Sequence, residues 1–268
     1  MDTYTIDKSV DVFSPRLTED CYINFYGGEP LLAFDRIQQA VRSFKNRLKN
    51  QNIIFSMSTN GSLLDDEKLE FFNQNKFSLL LSFDGFAQNI HRKKGSFNHI
   101  VTVLKKLLIY PDIDLEINSV FTPKTIGDFS KSVQFMANLG IPEISATLSQ
   151  NSYWSPLALC HYKEELQSLK KFTFLFRLQH GYIPFLKFRR DQGRGIFSCY
   201  AARDRVAITP DGKLWGCHLF ADFYTGKETT DEYSKYCLGD LVSFTESREK
   251  VFTEVSANYS KFRMDQFC

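Results

Sequence analysis

Cysteine is scarce and scattered in this chain. Six are present in 268 residues, at positions 21, 160, 199, 217, 237 and 268, and none stands nearer another than Cys199 does to Cys217. So sparse a set excludes a disulfide scaffold. In a reducing compartment, metal or cluster binding is the better special role for such residues. Long apolar runs are also missing: no stretch reaches the roughly 18 apolar residues of a membrane span. The start, MDTYTIDKSVDVF, is polar and has no apolar signal core, so a cytoplasmic location is expected. Neither charge sign dominates. Thirty-three basic residues against thirty-one acidic ones leave a net charge of +2. That balance gives no sign of nucleic acid or an anionic membrane as partner. A local basic patch, Lys187-Phe188-Arg189-Arg190, reads as a solvated loop.

What is present suits one large α/β domain, or a domain of about 200 residues with an appendage. Hydrophobic residues make up 43%, enough for a sizeable core, and the 26 phenylalanines are assigned to packing. Short β-prone runs at 21–26, 53–58, 77–83, 115–121 and 144–148 alternate with helical stripes. Ile37, Val41, Phe44 and Leu48 make one stripe. Asp65 and Asp66 open a second, which carries Leu69 and Phe72. Phe97, Ile100, Val101, Leu104 and Leu108 make a third, with Ser96 as N-cap. Ile126, Phe129, Val133 and Met136 make a fourth, stopped by Gly140 and Pro142, and 157–180 reads as a long helix. Strands alternating with helices imply βαβ units and a parallel sheet. Periodicity leaves a barrel and a doubly wound sheet equally open. Past residue 181 the composition changes: Gly181, Pro184, Gly193 and Gly195 punctuate an irregular stretch, and 205–209, 210–212 and 213–217 read as strand, turn and strand.

Three successive strands end in polar, glycine-bearing turns: Tyr26-Gly27-Gly28-Glu29-Pro30, Ser58-Thr59-Asn60-Gly61 and Ser82-Phe83-Asp84-Gly85. Ligands of parallel α/β folds bind at the carboxyl ends of strands, and glycine there admits close approach to the backbone. Glu29, Asn60 and Asp84 are thus expected to ring one mouth. Asn-Gly and Asp-Gly taken singly are also ordinary turns. Gly27-Gly28-Glu29 is the least ordinary of the three. A carboxylate beside exposed amides suits the amino-acid end of a ligand.

These segments resemble the radical S-adenosylmethionine (SAM) enzymes, in the branch of sulfatase and peptide maturases. The resemblance is carried by Asn24-Phe-Tyr-Gly-Gly-Glu-Pro-Leu-Leu32, Ser58-Thr-Asn-Gly61, Ser82-Phe-Asp-Gly85 and His91-Arg92 with Gly95-Ser96-Phe97, and it runs from about residue 5 to the end. It implies a partial (β/α)6 TIM-type barrel lacking its first strand over 1–180, followed over 181–268 by a linker and the start of a SPASM module, which binds auxiliary iron–sulfur clusters. It implies that Gly27, Gly28 and Glu29 bind the methionyl amino group of SAM, that Ser58 and Asn60 lie near the ribose, and that Asn118 faces the cofactor. Cys199, twelve residues, Gly212, four residues and Cys217 resemble the SPASM opening; both thiols would ligate an auxiliary cluster, with Cys268 as the first of the next group. Leu238-Gly-Asp-Leu241 resembles the segment between.

The implied activity is hydrogen abstraction by a 5′-deoxyadenosyl radical from a residue of a ribosomally made peptide, with a ferredoxin or flavodoxin as reductant. That chemistry needs a [4Fe–4S] cluster on a C-x3-C-x2-C triad, which this sequence does not contain. By the resemblance its position falls immediately upstream of Met1, and the expectation is a chain cut at both ends. A non-catalytic remnant that binds peptide or SAM is the alternative. An iron-independent barrel enzyme with Glu29 and Asp84 as acid and base is a further one. Cys21 and Cys160 are expected in the core, Cys237 is open, and a zinc site of Cys199, Cys217 and His218 lacks a fourth ligand. Arg189, Arg190 and segment 172–188 read either as a substrate route or as exposed loop and core helix.

Overall fold

The computed structural model describes residues 1–17, 20–150, 152–188, 201–202, 205–244, 257 and 259. They fall into two units. One comprises Cys21–Phe34 and Ile53–Asp191; the other comprises Met1–Asp20, Asp35–Asn52 and Gln192–Cys268.

The first unit is built on a five-stranded parallel sheet whose order follows the chain: β1 (Asp20–Phe25), β2 (Asn52–Thr59), β3 (Ser78–Ser82), β4 (Asp114–Phe121) and β5 (Glu143–Leu148). All five coincide with the expected runs to within a residue or two. Side chains alternate across the strands. One face carries Phe55 and Met57, Leu79 and Leu81, Leu115, Ile117 and Phe121, then Ile144 and Ala146, all buried. Helices α3 (Asp66–Gln74) and α6 (Phe129–Asn138) supply Phe72, Phe129 and Met136 to this layer. Phe25, Phe55 and Phe77 stack at centroid distances of 5.6–6.4 Å, and Phe72 closes on Phe77 at 4.7 Å. Each fully buried phenylalanine contributes on the order of 2–3 kcal/mol, so this ladder anchors three adjacent strands.

The opposite face is polar and half exposed. Asn24, Ser56, Ser58, Ser82, Asn118, Ser145 and Thr147 lie on it. Register aligns the rows: Ser82 is opposite Asn118, and Asn118 is opposite Ser145. A doubly wound sheet is covered on both faces, and its strands are apolar throughout. A single covered face with polar residues on the other is the barrel-type arrangement, which settles what periodicity left open. Beyond β5 the backbone of Pro184 accepts from Ile144 N at 2.9 Å, and Phe185 bridges Ile144 in parallel fashion, so the chain begins a sixth strand position there.

Helix α4 (Gln88–His91) and helix α5 (Ser96–Leu107) follow β3. Ser96 is the first residue of α5 rather than its cap. Gly95, at φ 83°, holds the cap position, and the Ser96 hydroxyl accepts from Gln88 Nε2 at 3.2 Å. The glycine adopts the left-handed turn at no steric cost, which frees the serine for a tertiary contact. Helix α7 (Pro156–His180) matches the expected long helix. The Ser155 hydroxyl caps it by accepting from Ala158 N, and Gly181 closes it in the αL conformation.

The second unit joins α1 (Thr3–Phe13) and α2 (Phe34–Arg47, from Asp35 on) to the C-terminal strands. The two helices meet along a polar seam in which Arg36 donates to Thr3 and Ser43 to Asp7. The expected hairpin is present as β6 (Ala207–Ile208) and β7 (Lys213–Trp215), turned at Gly212, where φ is 80°. A third strand, β8 (Cys237–Asp240), pairs antiparallel with β7, and α8 (His218–Tyr224) and α9 (Asp231–Tyr236) connect the two. Leu214, Leu238, Leu241, Ala201, Ala202 and Tyr259 form the core, with Val12 and Phe13 of α1 packed against it. Gly216 is required here: a Cβ would stand 2.6 Å from the Cβ of Ala202.

Candidate functional site

The three glycine turns at the strand ends differ in what surrounds them. At Gly61 a Cβ would meet Leu81 Cδ1 at 2.9 Å, and at Gly85 it would collide with Ser132 of α6. Both positions have positive φ, 75° and 57°. These glycines serve the protein's own packing. At Gly27 and Gly28 no atom lies within 4 Å of an added Cβ, and both residues are exposed. Only this turn leaves an open backbone shelf.

Glu29 fixes the shelf in place. Its Oε1 accepts from Leu31 N at 3.2 Å and from the Thr59 hydroxyl at 2.7 Å, and its Oε2 accepts from Asn60 N at 2.9 Å. A carboxylate has about four acceptor positions. Three are engaged, and they tie the turn after β1 to the end of β2. Thr59 is buried and passes its oxygen on as acceptor for Gly61 N. Sequence reading passed over Thr59. Strand alternation places it opposite Ser58, toward the covered face, which was the available signal.

Ser58 and Asn118 both lie on the half-exposed polar face, Ser58 opposite Leu80 and Asn118 opposite Ser82 in register. Asn60 sits at the strand end, and its Oδ1 accepts from Ser62 N at 2.8 Å.

Asp84 is not part of the open mouth. It is 1% exposed. Its Oδ1 accepts from Val120 N at 2.9 Å and its Oδ2 from Arg92 Nε at 2.8 Å. His91 Nδ1 stands 3.6 Å from the same oxygen, and its Nε2 lies 2.9 Å from the Thr125 hydroxyl. Ser119 Oγ donates to Phe83 O, and Phe83 N donates to Asn118 O. The motif after β3 therefore clamps the ends of β3 and β4 together. Buried and held by Val120 N and Arg92, Asp84 does not open toward Glu29, and the acid–base pairing of the two is not supported.

The described thiols lie on different elements. Cys21 is buried in β1. Cys160, expected in the core, is exposed on α7 and points away from the row of Ala158, Leu169, Thr173 and Phe176 that this helix buries. Cys217 caps α8, and Cys237 lies opposite Trp215 on β8. Burial holds His218 below the ordinary histidine pKa, against the pull of Asp222. Cys199, Cys268, Arg189 and Arg190 lie outside the described residues. Within 172–188, Phe176 and Phe185 are core and Phe174 is exposed. Among the described residues no three Cys, His, Asp or Glu side chains are placed to hold a metal ion. No helix among them is long and apolar enough to cross a membrane.

The fold is that of solved structures of a sulfatase-maturating enzyme. Native anSMEcpe with bound AdoMet superposes with a TM-score of 0.73 at 20% identity, over 92% of this chain and 70% of that one. The form with AdoMet and the Kp18Cys peptide gives the same TM-score and identity, over 92% and 71%. In sequence, the chain is 32% identical over 126 residues to a cysteine-type anaerobic sulfatase-maturating enzyme of Clostridium novyi, covering 44% of this chain and 33% of that protein. It is 23% identical over 255 residues to the radical SAM cyclopropyl synthase TigE of Paramaledivibacter caminithermalis, covering 89% and 53%. The chain thus spans from a third to about half the length of these relatives. The radical SAM superfamily profile matches residues 6–136. That segment, which holds the open glycine shelf and the polar strand residues from Asn24 to Asn118, is a radical SAM domain.

Proposed function

We propose that the first unit binds SAM and presents it to a peptide or protein substrate, as a maturase scaffold. The observation that carries this is the open Gly27–Gly28 shelf, held by Glu29 at the mouth of a one-sided sheet. The residues fit the ligand. Exposed backbone at Gly27 and Gly28 would take the amino-acid end, and the remaining acceptor position of Glu29 would meet the ammonium group. Ser58, Asn60 and Asn118 offer neutral hydrogen-bonding groups suited to a ribose. Bound SAM supplies an adenosyl group and a sulfonium centre; these residues bind and orient it, and the strand ends shape the space beside it. A peptide substrate is supported by the sulfatase-maturase relatives and by the structural neighbour with bound peptide. A small reductant protein and a cytoplasmic location belong to the same proposal, as does a SPASM-type module from about residue 181 with Cys199, Cys217 and Cys268.

The residues do not fit a [4Fe–4S] cluster for SAM cleavage: the sequence has no C-x3-C-x2-C, and the described thiols lie on different elements. No reaction step is assigned through it. That mismatch favours a second reading, in which this chain binds SAM or peptide without turnover.

The test is calorimetric titration of the chain with S-adenosylhomocysteine. Saturable binding that Gly28→Val abolishes is the expected result. Absence of binding by the unaltered chain would refute the proposal.

A further inference from the structure

The last turns of α7 are apolar on two opposite faces. Leu169, Thr173 and Phe176 form the buried row, and the rings of Phe172, His180 and Tyr182 pack on Phe176. At 3.6 residues per turn, Phe174 and Leu178 point the other way. Phe174, Leu175 and Leu178 are 63%, 63% and 70% exposed. A helix that is apolar all round is one that other elements cover all round.

Charge of one sign surrounds this exposed row. Between Glu165 and Asp191 the sequence has six Lys or Arg residues and no acid. Lys170, Lys171 and Arg177 are exposed, and no acid stands three or four residues from any of them to neutralise it along the helix. The spacing is that of a two-helix seam. Lys171, Phe174 and Leu178 occupy successive a, d and a positions of a heptad, so Lys170 and Arg177 fall on the two flanking g positions. Cations at g pair with acids of a facing helix, and a single polar residue at a, here Lys171, sets register.

We infer that this face of α7 docks an acidic amphipathic helix of a partner polypeptide. The partner lays apolar side chains on Phe174 and Leu178 and carboxylates against Lys170 and Arg177. Charge decides against a second copy of this chain: antiparallel α7 helices would face Lys170 with Arg177, and parallel ones would offer neither an acid. An anionic bilayer would attract the same cations but is indifferent to heptad spacing.

The experiment measures binding of two synthetic three-heptad helices to the full chain by fluorescence anisotropy. Both carry Leu at a and d; one carries Glu at e and g, the other Lys. The Glu helix should bind saturably with a dissociation constant on the order of 10–100 μM, and the Lys helix about tenfold more weakly or worse. Lys170→Glu/Arg177→Glu should reverse that preference, and Phe174→Ser/Leu178→Ser should weaken the Glu helix about tenfold. All four residues are exposed, so both variants should keep the circular dichroism and thermal midpoint of the parent. No binding of the Glu helix, equal binding of the two helices, or a preference that survives the charge reversal would overturn the inference. So would binding to phosphatidylglycerol vesicles with none to the Glu helix, or sedimentation as a dimer that Phe174→Ser/Leu178→Ser abolishes.

Discussion

The hydroxyl of Thr59 donates to Oε1 of Glu29 across 2.7 Å and thirty residues of sequence. This bond lets a buried residue of β2 set the position of an exposed loop after β1. Thr59→Val keeps the shape and removes the donor. It should cost about 1 kcal/mol in urea unfolding and weaken S-adenosylhomocysteine binding several-fold. Unchanged affinity at reduced stability would show the shelf to be set by other contacts.

Gly28 and Gly85 should respond in opposite ways to alanine. Gly28→Ala enters open space and should shift unfolding by no more than about 0.5 kcal/mol while impairing ligand binding. Gly85→Ala meets Ser132 at a φ of 57° and should destabilise by about 2 kcal/mol or more. Parallel denaturation and binding curves for the two variants check this.

Asp84→Ala leaves Val120 N without its acceptor and removes the partner of Arg92. A loss of about 2–4 kcal/mol is expected. Asp84→Asn retains the Val120 bond and should lose less than half as much. Equal losses would mean that the ion pair, not the backbone bond, holds β3 to β4.

The Lys68 ammonium, followed by the Lys68 backbone N–H, holds the Asp65 carboxyl below the usual carboxylate range at the start of α3. Its contribution is therefore full above the unfolded pKa and fades as pH falls through the folded one. Asp65→Ala should cost about 1 kcal/mol at neutral pH. The gap between variant and parent should close below about pH 4. A gap that persists at pH 2 would contradict this.

Iron–sulfide reconstitution under anaerobic conditions should not enable this chain to release 5′-deoxyadenosine from SAM under strong reductant. Chromatographic detection of that product would show that an unrecognised thiol set holds a cluster.

Much of this fold was legible in the sequence because strand alternation and helical stripes are local. The five strands, the long helix to His180 and the turn at Gly212 follow from residue order alone. What was not legible depended on distant partners. Asp84 reads as a ligand-facing turn residue until Val120 and Arg92 are seen around it. Gly85 reads as an opening until Ser132 fills it. Ser96 reads as a cap because its real partner, Gln88, lies on a separate helix, α4. β8 was missed since its pairing with β7 crosses two intervening helices. Gly27 and Gly28 read as an open turn in the sequence and are uncovered in the structure.

The alternation of the sheet has a consequence for how this protein tolerates change. Ser58 and Thr59 are neighbours with opposite surroundings, one on the half-exposed polar face and one toward the helices. A single-residue insertion or deletion within β2 would exchange them, sending the Glu29 anchor outward and a polar side chain into the phenylalanine ladder. Paired insertions would preserve both placements. The site is thus encoded as much by odd and even position as by residue type, and length variation in these strands should occur in twos.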